Sequence, residues 1–108
     1  MKIEYEEEPH MSIEQFADKN QLTLQVYKRF VKDGEATLRK FTVFFKNVKI
    51  LLESGRFSTL CGEGETKNTA INSYIQLISR KKLYDCKNKL AFPVPALEDY
   101  KEENEDLS

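Results

Sequence analysis

The chain has 108 residues, 40% of them hydrophobic and 32% charged, which suits one domain with a modest core and argues against a wholly disordered chain. No apolar run approaches the ~20 residues of a membrane span. The N-terminal stretch Met1-Lys2-Ile3-Glu4-Tyr5-Glu6-Glu7-Glu8 is acidic and lacks an apolar signal core, so a cytoplasmic location is the expectation. The net charge of −1 hides a segregation: residues 1–10 carry −3, residues 98–108 carry −5, and residues 11–97 carry +7.

This compositional break predicts a mobile acidic arm over residues 1–10, one α+β domain over 11–97 and a disordered acidic tail over 98–108. The sequence leaves open whether Met1 or Met11 is the native start. Ser12-Ile13-Glu14-Gln15 matches a capping box, with Met11 and Phe16 at the staple positions, and predicts a short helix ending near Asn20. Leu22, Leu24 and Val26 alternate with polar or amphipathic residues, predicting a strand to Phe30. Lys32-Asp33-Gly34-Glu35 reads as a turn. A second strand is expected over 38–50, with Phe41, Val43 and Phe45 on one face and Phe44 on the other. Glu53-Ser54-Gly55-Arg56 reads as a hairpin turn, and residues 57–61 as a third strand.

Gly62-Glu63-Gly64-Glu65-Thr66 then reads as a glycine turn leading into a helix capped by Thr66. Ile71, Tyr74, Ile75 and Ile78 fall on one face of that helix, which is expected to end between Ser79 and Lys81. Arg80, Lys81 and Lys82 lie where cations offset the negative helix end. A short strand over 83–86, a polar turn at Lys87-Asn88-Lys89 and an extended piece over 90–94 complete the body. The expected order is α-β-β-β-α-β: a two-layer α+β domain with an antiparallel sheet and both helices on one sheet face.

No catalytic constellation is legible. Gly62-x-Gly64 lacks the third glycine and the acidic residue of a dinucleotide fingerprint. Glu63 and Glu65 sit in a polar turn, a poor setting for a general acid. Cys61 and Cys86 have neither Cys-x-x-Cys spacing nor a neighbouring histidine, and read as reduced thiols. The single histidine, His10, falls in the arm. The expectation is a non-enzyme with no cofactor and no metal.

Binding is the remaining class. Lys28, Arg29, Arg39, Lys40, Lys46, Lys49 and Arg56 fall on the first two strands and the hairpin. With Tyr27 and Phe44 they would form a basic-aromatic surface, the kind that stacks bases and meets phosphates, although lysines on a solvated sheet face look the same in sequence. Lys67 stands at the start of the second helix, where an anion would be favoured. The candidate contact residues are therefore Lys67, Arg39, Lys40, Lys46, Lys49, Tyr27 and Phe44.

Three resemblances attach to these residues. Ser12-Ile13-Glu14-Gln15-Phe16-Ala17-Asp18 with Leu22-Thr23-Leu24, Phe45-Lys46-Asn47-Val48, Gly62-Glu63-Gly64-Glu65-Thr66, Ala70-Ile71-Asn72-Ser73-Tyr74, Ile78-Ser79 and Val94-Pro95 resemble a family of small uncharacterised proteins of bacteriophages and prophages. That family carries a Pro and two acids after the Thr cap, where Lys67-Asn68-Thr69 stand here. The resemblance implies a phage accessory protein without an assigned activity. The element order and Gly62-x-Gly64-x-Thr66-Lys67-x-x-Ala70 are similar to the double-stranded RNA-binding domain. Here Lys67 alone stands for that domain's lysine cluster, and its loop histidine is missing. The Gly-Glu-Thr approach to the helix is also similar to antitoxin-type domains of toxin–antitoxin pairs. The leading expectation is a phage or prophage accessory protein whose domain binds another macromolecule, protein foremost, with a nucleic-acid-binding module as the alternative.

Overall fold

A computed structural model describes residues 1–4 and 10–101, with His10 described by its backbone alone. The element order is β1 (His10–Met11), α1 (Ile13–Asn20), β2 (Leu24–Asp33), β3 (Ala36–Phe45), β4 (Val48–Leu51), β5 (Phe57–Ser58), β6 (Gly62–Gly64), α2 (Lys67–Ile78), β7 (Lys82–Asp85), β8 (Leu90–Pro93) and β9 (Ala96–Leu97). The fold is a small α+β domain with two helices and antiparallel sheets.

Helix α1 starts where the capping box requires. The Ser12 hydroxyl accepts from the Gln15 N–H and the Gln15 side chain accepts from the Ser12 N–H, both at 3.0 Å. The left-handed residue at its other end is Gln21 (φ 55°), one position later than expected. Asn20 instead turns its side-chain amide back to the Phe16 carbonyl at 3.0 Å. The Leu22 N–H closes the end on the Ala17 carbonyl at 2.8 Å, a Schellman-type stop.

The expected single antiparallel sheet is two. β2, β3 and β6 form one, in the order β2-β3-β6, and β5, β4, β7 and β8 form the other, in the order β5-β4-β7-β8. The strand expected over 38–50 is broken at Lys46-Asn47, where Asn47 adopts φ 62° and redirects the chain from the first sheet to the second. The strand expected over 57–61 is cut short at Ser58, and a separate strand follows at Gly62. Phe57–Ser58 pairs with β4, while Gly62–Gly64 pairs with β3. The first turn is tighter than expected. Pairing runs to Asp33 opposite Ala36 and leaves a two-residue loop with Gly34 at φ 65°.

Gly62 and Gly64 are strand residues rather than a turn, and helix packing explains them. A Cβ on Gly62 would lie 2.5 Å from the Tyr74 backbone nitrogen, and one on Gly64 would lie 2.7 Å from the Ala70 nitrogen. The glycines let α2 lie directly on β6. The Thr66 hydroxyl accepts from the Thr69 N–H at 3.0 Å and caps α2 as expected. The helix stops at Ile78, so Arg80, Lys81 and Lys82 fall beyond its last turn and Lys82 opens β7.

Phe41, Val43 and Phe45 of β3 face Ile13 and Phe16 of α1 and Ile71, Tyr74, Ile75 and Ile78 of α2 in one core, joined by Ile50, Leu83 and Val94. The Phe45 N–H donates to the buried Tyr74 Oη at 3.1 Å. Desolvation pushes the Tyr74 hydroxyl up to about 12, helped by Cys61 and opposed by that hydrogen bond. A phenol whose folded value is raised gives stability that is whole below its unfolded value of about 10. That stability is lost as pH climbs through about 12. Tyr74→Phe should therefore cost about 1–3 kcal/mol at neutral pH by stranding the Phe45 N–H. It should also flatten the loss of stability between about pH 10 and 12. Urea melts across pH check both effects; an unchanged alkaline slope would contradict them.

The loop after β7 is held by Asp85, whose carboxylate accepts from the Asn88 side chain at 2.8 Å, the Lys87 N–H at 2.9 Å and the Asn88 N–H at 3.2 Å. These bonds, the Asn88 side chain foremost, hold its carboxyl below the usual carboxylate range.

Two boundaries differ from the compositional break. His10–Met11 pairs in parallel with Ala96–Leu97. Past residue 98 the chain is still anchored: the Glu98 N–H donates to the Met11 carbonyl at 2.9 Å. Tyr100 exchanges two hydrogen bonds with the Asn72 side chain, at 2.8 and 2.9 Å. Residues 5–9 of the expected arm and 102–108 of the expected tail lie outside the described residues. No described helix is long and apolar enough to cross a membrane.

Candidate macromolecule-binding face

Residues opposite one another in a sheet share a face. The register therefore sorts the candidates. Tyr27 opposite Thr42, Gln25 opposite Phe44, Arg29 opposite Lys40, and Val31 opposite Leu38 share the face turned away from the helices, as does Glu63, opposite Thr42 on β6. Tyr27 and Phe44 stack diagonally there, with ring centroids 5.6 Å apart and planes at 28°. Lys40 Nζ lies 3.2 Å from Glu63 Oε2, and the Arg29 guanidinium lies 3.4 Å from Oε1. Glu63 thus engages both cations nearest the aromatic pair.

The structure gathers Tyr27, Phe44 and Lys40 and separates the rest. Arg39 lies on the opposite face of β3, its guanidinium 5.5 Å from the Phe41 ring centre. Lys46 stands exposed in the turn after β3. Lys49 lies on β4 in the other sheet, 5.7 Å from the Phe57 ring centre. It meets Phe44 only as a co-lining residue of a cleft of about 440 Å³ that also contains Cys61 and Cys86. Lys67 opens α2 and is half-buried, lining a depression with Tyr100 and with Leu24 and Val26 of β2.

The sheet also has a feature that the sequence reading missed. β6 covers only Phe41, Thr42 and Val43 of β3. From Arg29–Lys40 to Asp33–Ala36, five residue pairs continue as a two-stranded ribbon with no third strand among the described residues. Phe30, Leu38 and Val31 on it are 66%, 46% and 40% exposed. The mirror placement of Phe30-Val31 and Leu38 about Gly34 is the signal that could have revealed it. Both expected strands stopped short of the turn, so these residues were never placed opposite one another.

Burial, reinforced by the Glu63 charge, pushes the Cys61 thiol up, so it is held protonated and poorly nucleophilic. Among the described residues no group of three or more His, Cys, Asp or Glu side chains is placed to hold a metal. Comparison of the chain with protein-family models, with curated proteins and with solved structures finds no match.

Proposed function

We propose that this chain is a non-enzymatic protein-interaction module, a phage or prophage accessory protein acting in the cytoplasm of a bacterial host, and that the β2–β3 ribbon is its contact surface. The observation that carries the reading is the exposure of Phe30, Val31 and Leu38 on a ribbon that no third strand supports among the described residues. A two-stranded ribbon alone is marginal in water, and apolar side chains exposed on both its faces, Phe30 on one and Val31 with Leu38 on the other, gain from a partner. Aromatic and aliphatic anchors rimmed by charge are what protein interfaces use. The phage attribution rests on the sequence resemblance given above.

Nucleic acid is the second reading. One observation favours it: α1, the antiparallel strands β2, β3 and β6, and α2 come in a chain order similar to that of the double-stranded RNA-binding domain, with β4 and β5 of the other sheet inserted before β6. Against it, Glu63 already engages Arg29 and Lys40, and the start of α2 offers Lys67 without a lysine cluster.

Affinity capture from a bacterial lysate separates the two. The full chain, its Phe30→Ser/Leu38→Ser variant and a Phe57→Ser control, which alters an exposed phenylalanine on the other sheet, serve as baits. The expected result is a protein held by the full chain and the control, lost from the ribbon variant, and unaffected by nuclease. Capture that nuclease abolishes, or that survives in the ribbon variant, would overturn the reading.

A further inference from the structure

We infer, on the protein-interaction reading above, that the free edge of β2 takes up an extended acidic peptide as an added strand. Among the described residues β2 is the outer strand of its sheet and pairs only with β3, residue for residue over its ten positions. Among the described residues no backbone hydrogen bond joins residues 24–33 to anything but β3. One row of backbone donors and acceptors therefore faces solvent over most of the length of the strand.

Edges of this length are usually blunted by proline, a bulge, a covering element or charge. β2 contains no proline, and its register with β3 is unbroken. Only charge guards it: Lys28, Arg29 and Lys32, against Asp33 alone. That guard is selective. A second copy of β2 would bring a strand with the same positive charge alongside, and like charges opposite one another are unfavourable. An acidic strand meets attraction from the same residues.

The pattern also fixes the form of the partner. Side chains alternate between faces, so an added strand reads β2 one position at a time. Val26 and Tyr27 ask for apolar neighbours, Lys28 and Arg29 for acids, Phe30 and Val31 for apolar residues again, and Lys32 for a further acid. All seven positions are exposed. Arg29 reaches Glu63 at 3.4 Å across the surface, a contact that an incoming carboxylate can exchange.

The test is fluorescence anisotropy with the full chain and a labelled probe of sequence Glu-Val-Val-Glu-Glu-Val-Val. Two further probes replace every Glu by Lys or N-methylate the valine amides. The acidic probe should bind and weaken as salt rises, and the other two should bind at least about tenfold more weakly. Lys28→Glu/Lys32→Glu should reverse the preference, binding the Lys probe better than the Glu probe. N-methylation of the Lys probe should weaken its binding to that variant too, a dependence that charge on a misfolded chain would not give. Equal binding of acidic and basic probes would overturn the inference, as would full affinity for the N-methylated probe, which would show attraction without strand addition. If none of the probes binds while ribbon-dependent protein capture persists, the edge inference falls and the protein-interaction reading stands.

Discussion

Gly62→Ala should be among the most damaging single substitutions in this chain, costing roughly 3 kcal/mol, the upper end of the ordinary over-packing penalty. The new methyl would lie 2.5 Å from the Tyr74 backbone nitrogen and 2.6 Å from the Tyr74 Cβ. Neither is the end of a flexible side chain that could swing aside. α2 would have to lift from β6, and the contacts of Ala70 and Tyr74 with the sheet would loosen. Gly34→Ala is the matched control. Gly34 needs its left-handed φ of 65°, but a Cβ there meets nothing within 4 Å. Its cost should be only about 1 kcal/mol. Urea midpoints compare the two directly. Equal losses would mean that close approach of the helix is not why Gly62 is a glycine.

Ile78→Ala is the second large effect. Ile78 is fully buried and closes the stripe formed with Ile71, Tyr74 and Ile75. Truncating such a side chain removes its transfer free energy and leaves a cavity, together about 2–5 kcal/mol. Gln76, two residues earlier on the same helix, is exposed. Gln76→Ala should change stability by no more than about 0.5 kcal/mol. The same urea experiment reads both, and a small loss at Ile78 would place the core on another helix face.

The parts of the fold written in local chemistry were legible before any coordinates. The Ser12–Gln15 box and the Thr66 cap each need only residues three apart, and both formed. The buried stripe of α2 and the Phe41-Val43-Phe45 face of β3 follow from periodicity alone. What failed depends on partners distant in sequence. Nothing within residues 38–50 says that Asn47 turns the chain out of one sheet and into another. The glycines at 62 and 64 carry the same local signal whether a turn or a crossing helix requires them. The β1–β9 pair joins residues too few to show any alternation.

The candidate site was legible to a similar degree. Tyr27, Phe44 and Lys40 share a face because alternation puts them there, and the β2–β3 register aligns them. Arg39 fell on the other side for the same reason. Lys49 was lost to the second sheet by the break at Asn47. The role of Glu63 was illegible, since it reaches Arg29 and Lys40 only through β6 pairing. That contact changes the chemistry of the face, because a basic surface carrying its own counter-ion is less free to take phosphate.

The distinction between a protein partner and nucleic acid is tested most directly by titrating the full chain against labelled duplex RNA, duplex DNA and single-stranded DNA, first at low salt and then at about 0.15 M. Binding through phosphates must weaken steeply across that range. The expected result is negligible affinity for all three at about 0.15 M salt, with no gain when residues 102–108 and their four acids are removed. Tight, salt-sensitive binding that Lys40→Glu or Lys67→Glu abolishes would contradict the protein-interaction reading and establish nucleic acid as the partner.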